Sequence, residues 1–117
     1  MPKKSIPGRT TQEKVNIYET TAPLLAALYE EIQALSKKKH DGTSNQSKVQ
    51  LINRLLVDIK ELLKDEPDNK YLDLISDEDL PQYSDVVLIL SQYSASLNKF
   101  EDKYYGWNGT EHTWRIG

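Results

Sequence analysis

Few residues in this 117-residue chain have the types and spacing that chemistry needs. Its two histidines, His40 and His112, lie far apart, and neither has a second histidine near it. A zinc site needs four ligands, usually supplied in closely spaced pairs. Cysteine is absent, which removes disulfides, thiolate nucleophiles and thiolate metal ligands, and suits a reducing, cytoplasmic setting. Eight carboxylates between Asp65 and Asp85 face one lysine, Lys70. They lack the spacing and the sixth-position glycine of a calcium loop and read as a solvated face. There is no Glu-x-x-His pair for a carboxylate-bridged metal pair, no glycine-rich phosphate loop and no G-x-S-x-G elbow. The expectation is a protein that is not an enzyme and needs no cofactor or metal.

What stands out instead is apolar and aromatic. The chain ends in "KYYGWNGTEHTWRIG". Gly106 sits where a left-handed residue often ends a helix, and Trp107 then falls where an apolar residue folds back on the last turn. Trp107 is therefore assigned to the structure. Asn108-Gly109 is a strong hairpin-turn signal. Beyond it, Thr110, His112 and Trp114 share one face of an extended segment. So short a segment must lie along the rest of the fold, pair with another chain or stay mobile, and Trp114 and Ile116 are what it has to dock with. Asn45-Gln46-Ser47 and Asn108-Gly109-Thr110 match the glycosylation sequon and are read as coincidence.

Hydropathy periods give the elements that would position these residues. The first helix is expected from Thr20 or Thr21 to Lys39, with Pro23 in its first turn, Leu24, Leu25, Leu28, Ile32 and Leu35 on one face, and three lysines complementing the dipole at its end. Asn45–Lys64 is a second helix. Val49, Ile52, Leu56, Ile59 and Leu63 form its main stripe, and Leu51, Leu55 and Leu62 form another about 100° away. Two adjacent stripes imply two neighbours, so this helix is expected at the centre. Residues 68–75 form a short helix or turn, and Ser76 with Asp77, Glu78 and Asp79 resembles the acidic start of a helix. The third long helix spans Pro81–Tyr105, with Val86, Leu90, Tyr93, Leu97, Phe100 and Tyr104 as a narrow seam. Val87, Leu88 and Tyr105 fall off that seam.

The fold expected is all-α: an antiparallel bundle of three long helices plus a short one, with an extended aromatic C-terminal tail. The organisation is a basic arm over 1–13, a helical bundle over 14–105 and a tail over 106–117. No stretch approaches the ~20 apolar residues of a membrane span, and no apolar segment follows the basic start. Charge is polarised. Residues 1–64 carry eleven Lys or Arg against seven Asp or Glu, net +4, and residues 65–117 carry four against eleven, net −7. The functional expectation is a non-enzymatic helical interaction module: an adaptor, accessory subunit, inhibitor or immunity-type protein. It would bind a protein partner or itself through Val87, Leu88, Tyr105, Trp114 and Ile116. The alternative is nucleic-acid related, with phosphate binding by the basic first half or nucleic-acid mimicry by the acidic second half. A pI near 5.4 disfavours plain DNA binding.

Overall fold

The computed structural model describes residues 8–39 and 42–117. His40, Asp41 and the arm residues Lys3 and Lys4 lie outside them. The chain is mostly helical: α1 (Gln12–Lys38), α2 (Gln46–Leu62), a 3₁₀ turn (Pro67–Tyr71) and α3 (Tyr83–Tyr104). A two-stranded antiparallel sheet, β1 (Tyr105–Trp107) with β2 (His112–Trp114), follows α3 directly. The mostly helical character is as expected, and the tail, expected as an extended segment, pairs with itself as a small sheet.

α1 starts earlier than its proline suggested. Thr11 caps it, its hydroxyl accepting from the Lys14 amide at 3.2 Å, and Pro23 lies deep inside the helix. A proline there removes one helical hydrogen bond and crowds the carbonyl four residues back. Pro23 is exposed, so water can reach that carbonyl. One turn ahead, the Thr20 and Thr21 hydroxyls donate to the carbonyls of Asn16 and Ile17 at 2.9 and 2.8 Å. The helix therefore continues through the proline. Residues 12 and 13, assigned to the arm from sequence, belong to α1.

α2 follows the expected bounds. Its cap is Asn45, whose side chain accepts from the Lys48 amide at 2.8 Å. Its main stripe is fully buried, and Leu62 with it. It is not the central helix. α1 is the helix that packs against both others. In the second stripe of α2 only Leu62 is fully buried; Leu55 is half-buried and Leu51 is exposed.

α2 and α3 are held together by the connection between them. Leu72 and Ile75 of that connection are buried in the common core. Asn53 on α2 donates to the Ile75 carbonyl at 2.8 Å and accepts from the Ile75 amide at 2.9 Å. The Lys60 ammonium donates to the Leu72 carbonyl, and Asn69 donates to the Lys60 carbonyl. From α3, Tyr93 donates its hydroxyl to the Asp73 carbonyl at 2.9 Å, and the buried Ser96 donates to Asp68. Ser76 to Asp79 does not start a helix. The Ser76 hydroxyl accepts from the Asp79 amide in a turn, and Pro81, which has no amide and disfavours helix at Leu80, delays α3 to Tyr83. Gln82 precedes it, its amide donating to the Asp85 carboxylate at 3.3 Å. The α1–α2 loop is pinned at the same place. Ser44 donates to the Pro81 carbonyl, Tyr83 donates to the Gly42 carbonyl, and the Tyr83 ring lies so close over Gly42 that a Cβ there would come within 2.8 Å of it.

Candidate interaction surface on the C-terminal hairpin

Hydrogen bonding fixes the hairpin at both ends. At its tip, Asn108 Oδ1 accepts from the amides of Thr110 and Glu111, each at 2.8 Å, and Gly109 adopts φ +100°. Asn45 and Asn108, the two sequon asparagines, thus both use their side-chain oxygens locally. At the base, the Arg115 amide donates to the Tyr104 carbonyl at 2.7 Å and its guanidinium to the Lys103 carbonyl at 3.0 Å. A cation meets the carbonyl end of α3 there, as the helix dipole favours. Thr10, from the segment read as an arm, joins this base. It is buried, donates to the Arg115 carbonyl at 2.8 Å and accepts from the Gly117 amide at 3.1 Å.

Gly106 corrects the sequence reading. It is a strand residue and not a left-handed helix stop; positive φ occurs only at Gly8 and Gly109 among the described residues. Its missing Cβ makes room for a neighbour, since a Cβ would stand 2.9 Å from Arg115 Nη2. Trp107 is corrected with it. It does not fold back on the last turn of α3; it lies in β1 and is 58% exposed.

The register pairs Tyr105 with Trp114 and Trp107 with His112. Directly opposed residues share a face, and alternate residues along a strand share it too. Four ring-bearing side chains therefore line one face. Trp114 is the anchor, half-buried with its ring 5.0 Å from Tyr18 and 5.8 Å from Phe100. Tyr105 sits edge-on to Trp114 at 5.2 Å, His112 stacks on Tyr105 at 6.4 Å, and Trp107 meets His112 edge-on at 5.3 Å. The row runs from the core outward and becomes more exposed as it goes. Tyr18, under Trp114, donates its hydroxyl to Glu101 at 2.5 Å. Burial, then the hydrogen bond and charge of Glu101, push its phenol well above the ordinary tyrosine range. A neutral Tyr18 thus joins α1 to α3 beneath the hairpin.

The sequence-predicted contact residues do not converge. Tyr105, Trp114 and Ile116 lie on or beside the hairpin, whereas Leu88 is 17 residues back along α3, about 25 Å away at 1.5 Å per residue. Val87 packs against the core. Leu88 is 62% exposed, but its helical neighbours Ser84, Asp85, Ser91 and Gln92 are polar, so it forms no patch. Trp107 and His112 were missed as surface residues. Their signal was present, because positions 105, 107, 112 and 114 are symmetric about a four-residue turn.

Nothing in this arrangement is a nucleophile set beside a base. Among the described residues, no group of three or more His, Cys, Asp or Glu could hold a metal. Besides Asp85 at the start of α3, three more carboxylates of the acidic stretch are structural. Asp65 pairs with Lys14 at 2.9 Å, Glu66 with Lys103 at 3.1 Å and with the Tyr104 hydroxyl at 2.9 Å, and Asp68 with Ser96. No helix is long and apolar enough to cross a membrane, among the described residues. Comparisons with protein-family models, curated proteins and solved structures give no match.

Proposed function

We propose that this protein is a non-enzymatic interaction module of the adaptor, accessory-subunit, inhibitor or immunity type, and that the hairpin face is where it holds a protein partner. The observation that carries this reading is the exposed row Tyr105, Trp107 and His112, seated on a half-buried Trp114. Rigid, ordered aromatic side chains lose little entropy on binding, and each offers an apolar body with a polar edge; interfaces favour Tyr and Trp for these reasons. The row is wider than anything Leu88 offers, so the hairpin takes precedence over α3 as the contact surface. In this reading the three helices form an antiparallel bundle in a reducing, cytoplasmic compartment. The short α1–α2 loop supports the first point and the lack of cysteine the second. Plain phosphate binding is disfavoured by the net charge of −3 and the pI near 5.4 of the whole chain.

The test compares capture from native lysate, with and without nuclease treatment, by the wild type and by a Tyr105→Ala, Trp107→Ala double variant. The expected outcome is a protein retained by the wild type and lost by the variant, with both melting at the same temperature. Identical captured sets would overturn the hairpin reading. Capture that depends on intact nucleic acid would favour the phosphate-binding alternative.

A further inference from the structure

A second apolar surface lies away from the hairpin, where α1 and α2 meet. Leu24 on α1 is 55% exposed and Leu51 on α2 is 62% exposed, with Leu55 half-buried between them and Val57 exposed beyond. Together with Arg54 and Asp58 they line an open, shallow depression. This is the unfilled half of the second stripe of α2. A helix with two adjacent apolar stripes has two faces to bury, and in this second stripe only Leu62 is fully buried. Scattered exposed leucines are ordinary on a monomer. Leucines from two helices around one depression are a contiguous patch, and such patches mark interfaces.

The charges on this patch indicate what covers it. Arg54 and Asp58 are one turn apart on α2, yet they form no ion pair with each other or with any other described residue. The order matters: a cation placed four residues before an acid is the weaker orientation on a helix. The two groups therefore present opposite charges side by side at the rim of an apolar surface. Such a surface is complementary to itself. In a two-fold interface, residue i of one copy meets residue j of the other, and j meets i. An antiparallel approach of two α2 helices about an axis level with position 56 brings each Arg54 alongside the other copy's Asp58, sets Leu55 opposite the other copy's Val57 beside the axis, and leaves Leu51 about 7.5 Å along the helix from it.

We propose that the occupant of the α1–α2 face is a second copy of this chain, in a two-fold dimer with reciprocal Arg54–Asp58 pairs about an axis beside Leu55 and Val57, and with Leu51 and Leu24 toward the two ends of the contact. The hairpins stay outside this interface, so the dimer presents two partner-binding faces, and the proposal does not depend on the hairpin reading.

The test is sedimentation of the full chain at micromolar concentration. The wild type is expected at twice the 13.5 kDa chain mass. Arg54→Asp places like charges opposite each other twice, as does Asp58→Arg. Each should weaken the dimer roughly tenfold or more, since opposed like charges in an interface are costly. The double variant Arg54→Asp, Asp58→Arg restores both pairs and should regain the dimer. All these positions are exposed, so circular dichroism should not change, and melting temperatures should agree once the chains are dilute enough to be monomeric. A wild type that stays at the chain mass would overturn the proposal. So would a dimer unaffected by either single charge reversal, one that the double variant fails to restore, or one that dissociates only with Leu88→Glu or hairpin substitutions.

Discussion

The connection before α3, residues 63–82, and the hairpin after it both lie outside the long helices and are tied to the same helix, but they place their apolar residues differently. The connection turns Leu72 and Ile75 fully inward and has its backbone held by side chains from both flanking helices: Asn53 and Lys60 on one side, Tyr93 on the other. The hairpin satisfies its backbone by pairing with itself and with Thr10, and turns only Trp114 inward. A buried irregular segment must have partners for every amide and carbonyl, so the connection needs dedicated side chains along α2 and α3. A surface hairpin has no such need, which leaves its aromatic residues available for contact. The difference separates a piece that completes the core from one displayed by it.

The largest effect should come from breaking the connection. Leu72→Ala leaves a cavity under α2 and α3 and should cost about 2–5 kcal/mol. The nearby Leu74→Ala, at an exposed position, should stay within about 0.5 kcal/mol. Asn53→Ala strands both the amide and the carbonyl of Ile75, at ~1–3 kcal/mol for each group left without water. Thermal melts of the three variants check the order. If Leu74→Ala cost as much as Leu72→Ala, the segment would be packed otherwise than described.

The hairpin should give a smaller stability effect, concentrated at one residue. Trp114→Ala removes the ring lying on Tyr18, Phe100 and Tyr105, and should cost roughly 1–3 kcal/mol, below the 3–5 typical of a fully buried aromatic. Trp107→Ala should leave melting unchanged within about 0.5 kcal/mol. Equal costs at the two tryptophans would mean that the hairpin completes the core as the connection does.

The helices were legible in the sequence because burial on one face imposes a 3.6-residue period. The seam Val86, Leu90, Tyr93, Leu97, Phe100 and Tyr104 is buried along its whole length, as is the main stripe of α2. The errors fall where periodicity carries no information. Pro23 was read as a first-turn residue from local propensity, but Thr11 offered an equally good cap 12 residues earlier and tertiary packing of Val15 extended the helix to it. Gly106 carried two meanings, a helix stop and a site of close approach, and only the position of Arg115 decides between them. The central position was given to α2 from its two stripes; whether a second stripe meets an intramolecular neighbour is a property of the tertiary arrangement. The candidate surface was half legible. The Asn-Gly turn and the roles of Tyr105 and Trp114 could be read, but the strand pairing that turns Trp107 and His112 outward was discarded, because a strand of three residues does not stand alone. Here it is held by the end of α3 and by Thr10.

The smallest effect is ionic and joins the start of the connection to the start of α1. Asp65 accepts from Lys14 Nζ at 2.9 Å. That hydrogen bond, followed by the charge of Lys14, lowers the Asp65 carboxyl below its ordinary 3.8, against a small opposing cost of burial. In the unfolded chain the group keeps its ordinary value. Between the two values the unfolded chain holds more protons, so stability rises with pH across that window. The contribution is fully present above about pH 4 and is lost as pH falls through the folded value. Asp65 is largely solvent-facing, with half its side chain exposed, so the pair is worth well under about 1 kcal/mol and weakens with salt. Asp65→Asn should therefore lower the melting temperature by no more than a few degrees at pH 6 in low salt. The gap from wild type should narrow as pH falls from about 4 through the folded value of Asp65, and should also narrow in 1 M salt. A gap that does not change with either acid or salt would show that Asp65 acts through the geometry of the α2 terminus and not through its charge, which would make this end of the connection as structural as Leu72.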